Sequence, residues 1–225
     1  PTFYGGSNGE HAHALNIDNR NNTVVAGRTL SIDFPFSDDA IQKKRNGFFD
    51  AFMIKFDDSG NLIWATYFGG EESDYAQDLD FDEFDNIYLT GFTWSRNFPV
   101  SDDAMDRTFN GPINKGTDGF IAKFNSEGQL IWSTYYGGEE EEHFYAIEVL
   151  DGEEFAIAGW TKSKNIFTSN TDFDKDQYGN ADAFLARLTL NGRLIWATYF
   201  GGDSTDEART VAYDLNDEIV FGGFT

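Results

Sequence analysis

The chain contains no cysteine, three histidines, two methionines and four prolines among its 225 residues. Without cysteine there is no disulfide, no thiolate metal site and no cysteine nucleophile. Cations are scarce as well: 16 Lys and Arg stand against 39 Asp and Glu, a net charge of -23. Binding to a nucleic-acid backbone runs on cationic side chains that displace counterions, so a nucleic-acid partner is not expected. An anionic membrane surface is disfavoured for the same reason. No stretch approaches the roughly 20 apolar residues of a membrane-spanning helix, so direct membrane insertion is not expected either. The first residues carry neither the basic start nor the apolar run of a signal peptide. A Gly-rich phosphate loop, a G-x-S-x-G elbow and an H-E-x-x-H pair are all missing, and no catalytic residue is assigned.

What the chain does have is aromatic residues, 17% of the total, and repetition. The phrase DAFMIKFDDSGNLIWATYFGG from Asp50 recurs as DGFIAKFNSEGQLIWSTYYGG from Asp118 and DAFLARLTLNGRLIWATYFGG from Asp182. A Thr-aromatic-aromatic-Gly-Gly block starts at Thr2, Thr66, Thr134 and Thr198, and a Gly-x-Thr block ends at Thr29, Thr93, Thr161 and Thr225. Both step by 64, 68 and 64 residues, so the units are in register throughout. The chain opens on the tail of one unit and ends in the middle of another, which reads as a window on a longer polypeptide.

Within one unit the hydrophobic alternation supplies four short strands: YAQDLDFD, NIYLTGFT, GFIAKF and LIWSTYY. Gly60, Gly128 and Gly192 recur where the last two strands need a tight hairpin turn with positive φ. Four strands per repeat, with no helical period, is the content of a propeller blade. The fold class is therefore all-β, a β-propeller segment of four-stranded antiparallel blades, about three and a half of them. The expected divisions are the end of a preceding blade at 1–6, blades at 7–70, 71–138 and 139–202, and the first half of another at 203–225. Leu15, Leu79, Ile147 and Val211 on the innermost strands should lie between blades, with Trp64, Trp132 and Trp196 as the main packing aromatics.

These motifs carry a family resemblance. The string D-[AG]-F-x-x-K-F, then G-x-L-I-W-x-T-Y-[FY]-G-G, an acidic residue, a turn and G-x-T, with NFP at Asn97 to Pro99, resembles the SBBP family of bacterial β-propeller repeats. The third unit departs from it, with NIF at Asn165 to Phe167. The resemblance implies a propeller segment, part of a larger ring of seven blades, in an exported or cell-surface protein without an assigned activity.

Residues that recur in every unit serve the scaffold. Asp50, Asp118 and Asp182 at the start of the third strand, and Glu10, Asp74, Glu142 and Asp206 after each Gly-Gly pair, are expected to accept hydrogen bonds from loop amides. Calcium is the rival reading for carboxylates, and Asp78, Asp80 and Asp82 form a cluster special to one blade where a cation could be held. No cofactor is required. Positions that vary between blades speak to function: His11 and His13, Tyr75 and Gln77, His143 and Tyr145, Glu207 and Arg209 are expected to gather at one mouth of the propeller axis. The spacing of His11 and His13 would put both imidazoles on one side of a strand, with no third metal ligand to complete a site. The function read from the sequence is a non-enzymatic scaffold, extracellular or at the cell surface, presenting variable loops to a protein or surface glycan. The alternative is a glycosidase or lyase whose carboxylates come from different blades.

Overall fold

The computed structural model describes residues 3–112, 116–150, 152–166 and 176–225. The first sheet comprises β1 (Glu10–Ile17), β2 (Thr23–Thr29), β3 (Asp50–Phe56) and β4 (Leu62–Phe68). The second comprises β5 (Asp74–Phe81), β6 (Ile87–Thr93), β7 (Asp118–Phe124) and β8 (Leu130–Tyr136). The third comprises β9 (Glu142–Leu150), β10 (Glu154–Thr161), β11 (Asp182–Thr189) and β12 (Leu194–Phe200), and β13 (Glu207–Tyr213) with β14 (Ile219–Phe224) makes a two-stranded fourth. Strands follow chain order within every sheet and all pairs are antiparallel. The described residues contain no helix. The chain is a β-propeller segment of three four-stranded blades and half of another. The NIF segment of the third long loop ends at residue 167, outside the described residues.

Turn chemistry explains why the strands end where they do. Gly60, Gly128 and Gly192 take φ of 80°, 76° and 73°, a region costly for any residue with a Cβ. Asp18 accepts the N–H groups of Arg20 and Asn22, and Asp82 accepts those of Phe84 and Asn86, closing the turns between the first two strands of their blades. Both carboxylates are also buried beside an ammonium group: Lys55 lies 2.8 Å from Asp18 and Lys123 lies 3.1 Å from Asp82.

Three core clusters join consecutive blades, and a fourth, around Phe34, Phe52 and Tyr67, lies within the first. Trp64, Met53 and Phe68 of the first blade pack with Leu79, Leu89 and Phe124 of the second. Trp132 and Tyr136 of the second pack with Ile147, Phe155 and Phe184 of the third. The indole N–H of Trp64 donates to the Ser126 carbonyl and that of Trp132 to the Leu190 carbonyl, so each ring is pinned to a hairpin turn of the next blade. The turn glycines make room for these rings: a Cβ on Gly128 would sit 3.0 Å from Trp64, and one on Gly192 would sit 3.1 Å from Trp132.

Two packing expectations need correction. Leu79, Ile147 and Val211 are buried between blades, but Leu15 is 64% exposed, because it lies on the face of the first sheet that no other described blade covers. Trp64 and Trp132 are buried, whereas Trp196 is only partly buried, packing on β13 and β14, which among the described residues form a two-stranded sheet that leaves part of the ring uncovered. Residues 3–6 form no strand; Tyr4 packs edge-on against Phe34 and Phe56 instead.

Candidate ligand-binding mouth

A β-bulge interrupts the innermost strand of every blade. The pairing register slips between Ala12 and Ala14, between Ala76 and Asp78, across Tyr145, and between Ala208 and Thr210. The residue left without a partner is His13, Gln77, Tyr145 and Arg209 in turn. A bulge re-aims the side chain it carries, and here that side chain differs in each blade. The glycine of each Gly-x-Thr block faces the bulge. A Cβ on Gly27, Gly91, Gly159 or Gly223 would come within 1.9, 1.9, 2.0 or 1.7 Å of the carbonyl oxygen of His11, Tyr75, His143 or Glu207. The repeated glycine is thus required by close backbone approach, and the bulge it permits is a feature of the repeat itself.

The threonine and the repeated acids brace the same end of the blade. Thr29, Thr93 and Thr161 donate their hydroxyls to Glu10, Asp74 and Glu142. The amides of Gly70, Gly138 and Gly202 donate to Asp74, Glu142 and Asp206 at 2.8, 2.8 and 2.9 Å. Asp50 accepts from the amides of Asn46 and Gly47, Asp118 from those of Asn110 and Gly111, and Asp182 from that of Tyr178. Burial pushes Asp74 and Asp118 up to about 7, and the neighbouring carboxylates Asp50 and Glu142 add to the rise.

On this braced rim, aromatic and cationic side chains from all four blades meet. The guanidinium of Arg28 lies 4.9 Å from the Phe49 ring centroid and 4.2 Å from that of Tyr75. Tyr75 contacts Phe92 and Trp94, with centroids 5.1 and 5.2 Å apart. Phe92 stacks on His143, and His143 packs on Trp160 at 4.5 Å. The Trp160 indole donates to the Tyr145 hydroxyl at 3.0 Å, and Arg209 lies 4.0 Å over the Tyr145 ring. Of the eight residues expected at the mouth, Tyr75, His143, Tyr145 and Arg209 are joined in this row. Arg209 is paired with Glu207. Gln77 is half-buried at the second bulge.

Two of the histidines, His13 and His143, are held towards the neutral form. His13 donates its Nδ1 proton to the Ala76 carbonyl at 2.8 Å. Burial lowers its pKa, and the charge of Arg28 lowers it further against that hydrogen bond. Burial, with Lys162 and Arg209 nearby, drives His143 down to about 3. The bulge leaves His13 without a cross-strand partner, while His11 pairs with Arg28. Among the described residues no group of three His, Cys, Asp or Glu side chains is arranged to hold a metal ion.

The opposite end of the axis is acidic. Asp78 and Asp80 accept the backbone N–H groups of Ile147 and Val149 at 2.9 and 2.8 Å, so each carboxylate ties its innermost strand to the next blade. Asn16 donates to Asp80 at 2.8 Å. Burial pushes Asp78 up to about 6, and burial plus the charges of Asp80 and Asp78 push Glu148 up to about 7. Asp82 lies beyond the end of β5 in its own turn, bound to Asn86 and Lys123, and lines one cavity with Asp80.

The second-strand partners Arg28, Phe92, Trp160 and Phe224 were not singled out in the sequence. All four occupy the middle position of Gly-x-Thr, where Arg, Phe, Trp and Phe alternate between fixed neighbours. That variation was the available signal.

Comparison with known proteins agrees with the architecture. Residues 63–99 match the SBBP family, a beta-propeller repeat, so the chain carries a repeat of that type. A WD repeat-containing protein of Acanthamoeba polyphaga mimivirus is 22% identical across 93% of this chain. The chain spans 17% of that protein's length.

Proposed function

We propose that this chain is a non-enzymatic binding scaffold, and that its partner is recognised at the mouth formed by the bulged ends of the innermost strands. The observation that carries this reading is the continuous row from Arg28 through Tyr75, Phe92, His143 and Trp160 to Tyr145 and Arg209. The fold repeats glycine, threonine and acid at this rim in every blade, yet it fills the positions between them with a different side chain each time. Packing alone needs no such variation, whereas recognition does. The propeller repeat supports an interaction role, and the resemblance to exported propeller proteins supports an extracellular or cell-surface setting. The reading invokes no cofactor and no calcium.

The test replaces His11, Tyr75, Tyr145 and Arg209 with alanine, one at a time and together, and follows binding to partners captured by the parent chain. Loss of binding with a retained unfolding transition is the expected result. Undiminished binding by the combined variant, or turnover of a captured glycan by the parent, would overturn the reading.

A further inference from the structure

The chain is strongly acidic, yet cations stand at both ends of the aromatic row. Arg28 is half-buried between Phe49 and Tyr75, and among the described residues it forms no ion pair and its Nε atom has no hydrogen-bond partner. Ordinary surface cations in a chain of net charge -23 have a surplus of carboxylates to choose from. Arg28 is kept from them, flanked by two rings and by the neutral His13, with His11 exposed beside it. Three blades further on, Arg209 is exposed over the Tyr145 ring and lies 5.5 Å from that of Phe224. Between the two arginines, Tyr75, Trp94 and Tyr145 remain partly exposed.

We propose that the mouth takes an acidic glycan built of uronate sugars, with Arg28 as the carboxylate anchor and Tyr75, Trp94 and Tyr145 as the surfaces on which the sugar rings rest. This rests on the mouth being the recognition site. A guanidinium backed by aromatic faces is pre-organised, and its two terminal amino groups match a carboxylate in bidentate geometry. A uronate oligomer offers carboxylates beside apolar C–H faces, which suits a row of aromatic surfaces with a cation at each end. Rigid sugar rings also lose less conformational freedom on such a surface than an acidic peptide, whose rotamer-rich side chains must be ordered.

The experiment is calorimetric titration of the whole chain with a galacturonate hexamer, its methyl ester, a neutral glucose hexamer and a peptide alternating Glu and Tyr. The galacturonate should bind, and its methyl ester should bind at least about tenfold more weakly through loss of the charged hydrogen bonds. R28Q should cause a similar loss, with R28K in between, while the unfolding temperature stays near that of the parent. The ester comparison needs no variant, so it stands even if R28Q fails to fold. Silence towards galacturonate, equal affinity for its ester, or indifference to R28Q would overturn the proposal. Peptide binding abolished by mouth variants would overturn the glycan while leaving the mouth as the site. Binding of any partner that survives the mouth variants would remove both.

Discussion

The ring of Phe92 lies flat on the imidazole of His143, with centroids 3.7 Å apart and planes within 1° of parallel. Phe92 belongs to the second blade and His143 to the third, so this stack crosses a blade boundary at the mouth. A protonated imidazole there would be desolvated beside Lys162 and Arg209, which is why His143 is held down to about 3. The imidazole resonances of His143 should therefore stay unchanged between pH 5 and pH 8 in a proton–nitrogen correlation spectrum. A titration midpoint near the ordinary histidine value would contradict the stack.

Stability should fall as the pH rises from about 4.5 to 8. Burial raises Asp74 and Asp118 to about 7, Asp78 to about 6 and Glu148 to about 7, so in this range the folded chain binds more protons than the unfolded one. Linkage then makes stability decrease as pH rises through those values. Asp18 works in the opposite sense: burial would raise it, but Lys55 and the N–H groups of Asn22 and Arg20 outweigh burial and hold it near 2. Its contribution is lost only under stronger acid. Thermal melts should give a higher midpoint at pH 5 than at pH 8, and the reverse order would show that the buried carboxylates are ionised in the folded state.

Trp132→Ala should cost about 3–5 kcal/mol, the range for removing a buried Trp from a packed core. The ring is 9% exposed, packs against Phe155 and loses its bond to Leu190 when deleted. Trp196→Ala should cost clearly less, because that ring is only partly covered. Urea unfolding of both variants checks the difference, and equal losses would mean that repeat position rather than burial sets the cost.

Gly91→Ala should destabilise by about 1–3 kcal/mol, as expected when a methyl group is forced into filled space. Its Cβ would meet the Tyr75 carbonyl oxygen at 1.9 Å, and relief requires opening the bulge. Gly9→Ala is the control, since nothing lies within 4 Å of a Cβ there. Equal stability of the two variants would show that the bulge yields without cost.

The blade was legible because its signals are local: alternation marked the strands, and Gly128 marked a turn that needs positive φ. The clustering of Tyr75, His143, Tyr145 and Arg209 followed from their shared place in the repeat. The bulges were not legible, since an unpaired residue such as Gln77 is defined by its cross-strand partner, and Gly91 shows its purpose only when the Tyr75 carbonyl is placed against it. The buried pair of Lys55 and Asp18 was hidden for a related reason, because Asp18 sits in the turn after β1 and Lys55 on β3, and each alone reads as a surface charge. Leu15 has the same pattern as Leu79, and its exposure depends on a neighbouring blade rather than on its own strand.

The most direct measurement of the central claim, that the variable bulged rim carries recognition while the repeated residues carry the fold, is a hydrogen-exchange footprint of the chain with a bound partner. Protection should concentrate at residues 10–13, 28, 75–77, 92–94, 143–145 and 207–209, with the turns at 18–22 and 82–86 unchanged. Protection confined to those turns, at the acidic end of the axis, would contradict it.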